Sequence, residues 1–261
     1  MQGARFSPAL LSRVEDAGLN ASAPPQQRWL DGWLVRFCAG KAKRARCINA
    51  VATGQLPVLD KLALCQQLFD EMRLPMIMRV TPMSQPRNLD GLLEAAGLRA
   101  FDDTRVMVHA DLSTLQSEPL EADVSLQRVG HAAFAQIVGQ LRGSPLAQQQ
   151  SHAQRLELSP VPFEGWVLRP VGESTVLACG QTAVEADMVG LYDVFTAGQA
   201  RNQGWARKLC AELLQRAAKK GARTGYLQVD AGNLPARAVY QRLGFGDGYA
   251  YHYRTSAEQV D

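Results

Sequence analysis

Apolar residues recur every three and four positions along residues 205–218. Trp205, Ala206, Leu209, Cys210, Leu213, Leu214, Ala217 and Ala218 make one broad face, while Arg207, Lys208, Glu212, Gln215, Arg216, Lys219 and Lys220 fill the other. The pattern predicts a helix that opens at Gly204 and stops at Gly221, with Lys219 and Lys220 beside its negative end. Ahead of it, Met188 to Phe195 reads as a strand, the last of a meander with Phe163–Val171 and Thr175–Ala183. Further upstream, a strand over Val124–Val129 precedes helices over His131–Leu141 and Pro145–Leu158. Downstream, Gly225–Asp230 is a strand. A helix then starts with Asn233 as N-cap and Pro235 in its first turn and ends at Leu243-Gly244, and Tyr249–Tyr253 is a last strand.

The N-terminal part carries a similar order. Met76–Val80 predicts a strand, Pro86–Ala96 a helix before Gly97, and Thr104–Ala110 another strand, with an earlier helix over Pro57–Met72. Gly32-Trp33-Leu34-Val35-Arg36 also resembles Gly165-Trp166-Val167-Leu168-Arg169. Two α/β units in tandem account for this, and chance likeness is the competing reading. Length agrees with two units, since 261 residues exceed the roughly 150 of one such domain. Ser117-Glu118-Pro119 is the expected linker.

Composition narrows the function classes. At 46% hydrophobic and 20% charged the chain can bury a core, and a net charge of +3 is too small to argue for nucleic acid. Lys41, Lys43, Arg44 and Arg46 read as a solvated hairpin turn or as an attractor for an acidic substrate. Cys38, Cys47, Cys65, Cys179 and Cys210 form no C-x-x-C pair and read as reduced, mostly buried thiols of a cytoplasmic protein. His109, His131, His152 and His252 lack ligand spacing, so no metal site is expected. No apolar run reaches membrane-spanning length, and no signal-peptide core follows Met1-Gln2-Gly3-Ala4-Arg5.

The candidate chemistry lies between the 188–195 strand and the 205 helix. A short glycine-containing turn into a helix start presents backbone N–H groups at a positive dipole end, which suits a phosphate. Gly204 is not followed by Gly-Lys-Ser/Thr at the required spacing, which excludes a P-loop. The turn reads Arg201-x-x-Gly204-x-Ala206. It is followed by Leu227-Gln228-Val229 and then by Asn233-x-x-Ala236-x-x-x-Tyr240-x-x-Leu243-Gly244-Phe245. In this order the motifs resemble the GCN5-related N-acetyltransferases, the GNAT family, closely over residues 185–254 and loosely back to about residue 122.

The resemblance implies an α/β (α+β) fold of tandem GNAT-like domains, each a mixed, mostly antiparallel sheet flanked by helices. A sheet split where its fourth and fifth strands diverge would take the cofactor. Residues 119–261 would be the catalytic domain. Residues 1–118 would be a degenerate one, because they contain no Arg-x-x-Gly-x-Ala and no tyrosine. It also implies acetyl-CoA as cosubstrate. Val194, Phe195 and Thr196 would present backbone groups to the pantetheine arm and the thioester carbonyl, and Arg201, Asn202, Gln203, Gly204, Trp205, Ala206 and Arg207 would hold the pyrophosphate. Asn233 would touch the pantetheine or cap its helix, and Tyr240 would donate to the leaving sulfur. Residue by residue, Trp205 also reads as packing, Arg201 and Arg207 as solvated charges, Tyr240 as a core aromatic, and Cys210 as a small hydrophobe.

The general base has no assignment. Histone-type members carry a glutamate where this chain has Gly190. Glu185, Asp187 and Asp193 are nearby carboxylates, and simple strand alternation places Asp193 on the face opposite Tyr192 and Val194. The expected function is therefore N-acetyl transfer to a small-molecule or peptide amine by a monomer or homodimer. The alternative is a non-catalytic acyl-CoA-binding sensor.

Overall fold

A computed structural model describes residues 6–38, 42–116, 119–256 and 258. Lys41 of the basic cluster and Ser117-Glu118 of the expected linker lie outside these. In chain order the elements are α1 (Pro8–Ala21), β1 (Gln26–Leu30), β2 (Trp33–Phe37), β3 (Ile48–Ala50), α2 (Val58–Glu71), β4 (Met78–Val80), α3 (Leu89–Ala95) and β5 (Arg99–His109). Next come β6 (Val124–Val129), α4 (His131–Arg142), α5 (Leu146–Glu157), β7 (Phe163–Pro170), β8 (Ala178–Glu185), β9 (Met188–Thr196), α6 (Trp205–Lys219), β10 (Thr224–Asp230), α7 (Leu234–Arg242) and β11 (Gly246–Thr255). The helix over residues 205–219 ends as its pattern predicts, because Gly204 and Gly221 both adopt positive φ, 84° and 103°. Helix α1 and strands β1 and β3 have no counterpart among the expected elements.

The chain forms two compact units, and they are not consecutive halves of the sequence. Unit 1 contains α1 and Val106–Gly248, and unit 2 contains Ser22–Arg105 and the chain from Tyr249 onward. In unit 1 the strand order is β5-β10-β9-β8-β7-β6, with β9 and β10 parallel and the pairs among β6 to β9 antiparallel. In unit 2 the order is β1-β2-β3-β4-β11, with β3 and β4 parallel and the other pairs antiparallel. Each is a mixed, mostly antiparallel sheet flanked by helices. The closing strand of each unit comes from the other repeat: the end of β5 beside β10, and most of β11 beside β4. Unit 2 thereby gains Tyr249, Tyr251 and Tyr253, although residues 1–118 hold no tyrosine.

The repeat is carried by topology. In each unit a hairpin and a third strand lead through a helix to a parallel strand: β1-β2-β3-α2-β4 and β7-β8-β9-α6-β10. Trp33 lies in β2 and Trp166 in β7, which are the second and first strands of their hairpins. Their local likeness therefore falls on non-equivalent strands. Separate cores form in the two units. Leu191, Leu209, Leu213, Leu214, Leu227 and Phe245 pack in unit 1, and Trp33, Val35, Ile48, Phe69, Met78 and Leu93 in unit 2.

Candidate active site

Strands β9 and β10 pair from Met188 and Thr224 as far as Leu191 and Leu227 and then part, although β9 continues to Thr196 and β10 to Asp230. The gap opens at the C-terminal ends of two parallel strands, the usual place for a ligand in such a sheet. Its β9 wall is shaped by a bulge. Gln181 faces Tyr192 and Cys179 faces Phe195, so Asp193 and Val194 together oppose Gly180, and Asp193 takes φ 49°.

The bulge overturns the facing expected from alternation. Tyr192 packs edge-on against Phe163. That is the face on which Phe134 of α4 covers Gly165, two residues along β7. Asp193 points the same way, accepting from Arg142 Nη1 of α4 at 2.9 Å. Val194 turns to the other face, beside Gly180, Leu209 and Leu213. The extra residue puts two neighbours on one side.

Asp193 is consequently engaged. His152 Nε2 of α5 lies 3.2 Å from its second carboxylate oxygen, off the line of a hydrogen bond but at ion-pair distance when protonated. Burial by itself raises the Asp193 pKa, but the contact from His152 and the charges of Arg142, His152 and Arg155 outweigh it and hold the carboxyl well below the usual range. Glu185 accepts from Asn20 Nδ2 at 2.9 Å, and Asp187 pairs with Arg13. At Gly190 a side chain would meet the ring of Tyr192 and, at 2.7 Å, Cζ of Tyr226, so two tyrosines fill the place of the histone-type base. Their hydroxyls are 3.0 Å apart.

The turn at residues 201–206 is exposed up to Gly204, and neither a side-chain cap nor an acidic residue occupies the first turn of α6. The amides of Asn202, Gln203, Gly204, Trp205 and Ala206 donate to no acceptor among the described residues. Asn202 and Gly204 hold the bend with φ 63° and 84°. Gln203 and Trp205 brace it: indole Nε1 donates to Gln203 Oε1 at 3.0 Å, and Gln203 Nε2 donates to the Gln199 carbonyl at 3.1 Å. Trp205 also packs on the core, so its packing role and the turn coincide. The Arg201 guanidinium lies 5.8 Å from the Phe195 ring centroid, and that of Arg142 lies 5.7 Å from it. Arg207 is half-buried.

Asn233 caps α7 by accepting from the Ala236 amide at 3.2 Å, and its exposed side chain can still meet a ligand. Tyr240 is buried in the unit 1 core with its ring edge-on to Phe245. Burial, with nearby Cys210 adding to it, pushes its phenol above the ordinary value and keeps it protonated. Burial likewise pushes the Cys210 thiol up to about 12, which leaves a small hydrophobe and no nucleophile. A cavity of about 480 Å³ elsewhere in unit 1 is lined by His109, Asp111 and Gln241–Gly244, but by none of the expected site residues. Among the described residues no group of three His, Cys, Asp or Glu could hold a metal ion, and no helix is long and apolar enough to cross a membrane.

A tandem pair of mixed sheets, with a split and bulge on one and an open helix start beside them, defines a GNAT-family acetyltransferase fold. The chain belongs to the family described as "Probable histone acetyltransferase Rv0428c C-terminal", whose model matches residues 9–254. It is 22% identical over 230 residues to the uncharacterized N-acetyltransferase YobR of Bacillus subtilis strain 168, covering 87% of this chain and 91% of that one. In structure it is similar to the GCN5-related N-acetyltransferase from Kribbella flavida (TM-score 0.73, 15% identity, 95% of this chain and 96% of the other). It is also similar to a tandem GNAT protein from the clavulanic acid biosynthesis pathway (TM-score 0.63, 16% identity, 76% of this chain and 69% of the other).

Proposed function

We propose that this protein transfers an acetyl group from acetyl-CoA to a primary amine of a small-molecule or peptide acceptor, and that unit 1 does the chemistry while unit 2 is a degenerate copy. The observation that carries the reading is the run of open amides at residues 202–206, which follows β9 in the chain after β9 has parted from β10. The amides and the helix dipole of α6 would bind the diphosphate, with Arg201 and Arg207 beside it. Backbone groups of Val194, Phe195 and Thr196, displaced by the bulge, would meet the pantetheine arm and polarise the thioester carbonyl. The acceptor nitrogen, once neutral, attacks that carbonyl directly while both substrates are held together, and the C–S bond breaks. Tyr240, kept protonated by burial, would pass its proton to the departing thiolate as it takes up, through water, the one that the attacking nitrogen sheds.

The amine's proton leaves through water, because Asp193, Glu185 and Asp187 are all tied to basic or amide side chains. The absence of a carboxylate at position 190 favours an acceptor other than a histone. The reaction assigns no role to a metal. The protein would act in the cytoplasm as a monomer or homodimer.

CoA release over a panel of amines tests the reaction. Turnover on any acceptor at an enzymatic rate supports it, and binding without turnover on all of them supports a sensor instead. Gly204→Val tests the seat. An added Cβ would meet nothing within 4 Å, so the harm comes from forcing a β-branched residue to φ 84° and from covering the amides. Calorimetry should show acetyl-CoA binding abolished, and unchanged affinity rejects the seat.

A further inference from the structure

Unit 2 contains the counterpart of this turn, between β3 and α2. Its helix carries Lys61 four residues after the N-cap Pro57, as α6 carries Lys208 four residues after Gly204. Both lysines lie over a tryptophan: Lys61 Nζ is 4.7 Å from the Trp33 ring centroid and Lys208 Nζ 4.8 Å from that of Trp205. The two turns differ in what the amides face. In unit 1 they are open, and Lys208 pairs sideways with Glu121. In unit 2 the Asp31 carboxylate accepts from the Gln55 amide at 2.9 Å and the Leu56 amide at 2.8 Å, the positions equivalent to Asn202 and Gln203.

Local sequence builds this arrangement. Asp31-Gly32 closes the β1–β2 hairpin with φ 41° and 81°, a two-residue turn with both residues left-handed, for which Asp-Gly is a favoured pair. The Gly32 carbonyl accepts from the Ala52 amide at 2.9 Å, which folds the hairpin tip onto the turn. Gly54 at φ 71° permits the approach, since any side chain there would fall on Asp31. Lys61, fully buried, donates to the Asp31 carbonyl at 3.2 Å and to the Thr53 carbonyl, and its Nζ is 3.4 Å from the Asp31 carboxylate. The two amide hydrogen bonds and Lys61 together hold the carboxyl below its ordinary range.

We infer that unit 2 retains the anion seat of the fold in a closed form, with the chain's own Asp31 carboxylate in the place of a phosphate, so that each chain takes up one coenzyme A. The stoichiometry rests on the proposed diphosphate role of residues 201–206. The identity of the plug does not. Removing the carboxylate leaves the Gln55 and Leu56 amides and the buried Lys61 ammonium without their anion, and an added phosphate-type anion restores it.

The test uses inorganic pyrophosphate as probe and Gly204→Val as background, so that unit 1 contributes nothing. Asp31→Ala should lower the melting temperature by about 5–10 °C, and millimolar pyrophosphate should recover at least half of that loss while leaving the Gly204→Val parent unchanged. No recovery, or an equal rise in the parent, overturns the inference. If Asp31→Ala does not fold, Asp31→Ser in the same background is scored by broadening of the pyrophosphate ³¹P signal, and a signal as sharp as with the parent overturns it. Calorimetry on the wild-type chain should give one coenzyme A per chain, and two overturn the closed seat. A wild-type chain that takes up no coenzyme A removes the reading of unit 1, while the pyrophosphate arm still decides Asp31.

Discussion

Replacing Asp193 by asparagine separates charge from backbone shape at the bulge. Asparagine tolerates the left-handed region as well as aspartate does, so φ 49° can be kept while the carboxylate is lost. The side chain is 22% exposed, pairs with Arg142 and lies 3.2 Å from His152 Nε2. Breaking a fully buried pair costs about 3–5 kcal/mol and an exposed one under about 1, so about 2 kcal/mol is expected here. For a chain of this size that is a fall of about 4–8 °C in melting temperature at pH 7. The loss depends on pH in a defined direction. The folded-state pKa of Asp193 is depressed, so its stabilisation is present above its unfolded value, about 3.9, and disappears as pH falls through the lower folded value. Scanning calorimetry should therefore show the wild type and Asp193→Asn well separated at pH 7 and converging below about pH 4. If the bulge aims the carbonyl-binding amides, kcat should fall about tenfold or more with the KM for acetyl-CoA little changed, since small misplacements are costly. Equal melting temperatures at pH 7 would refute the ion-pair argument.

Tyr240→Phe removes the proposed acid without altering the shape of the core, so turnover should fall at least about tenfold while CoA affinity measured by calorimetry stays within about twofold. A fully active variant removes Tyr240 from the mechanism. Gly190→Ala inserts a methyl against Tyr192 and Tyr226 and should cost about 1–3 kcal/mol in urea unfolding. A neutral result would show that the two rings yield to a methyl at position 190.

Much of unit 1 was legible in local pattern. The 3.6-residue period of α6, the glycines at 204 and 221, and the Asn233-Pro235 start of α7 are short-range signals that each state their own backbone geometry. The motifs from Arg201 to Phe245 likewise pointed to the GNAT fold before any contact was visible. Other features carried weaker signals. Asp193 stood out only as a charge inside an apolar strand, and Asp31 carried no expectation at all. Neither said which amides or arginines would meet the carboxylate, because those partners lie on other elements.

The sequence by itself determined which segments are helices and strands across most of the chain, where α6 and α7 begin and end, and which family of turns opens at Gly204, since all of these depend on neighbours within a few residues. Tertiary structure alone decided that each unit closes with a strand from the other repeat. It also decided that β9 bulges so that Tyr192 and Asp193 share a face, and that one turn stays open while its counterpart is stoppered by Asp31. These are matters of pairing between distant strands, where one extra residue flips the facing of every later side chain in the strand and a carboxylate's role is set by the amides it reaches.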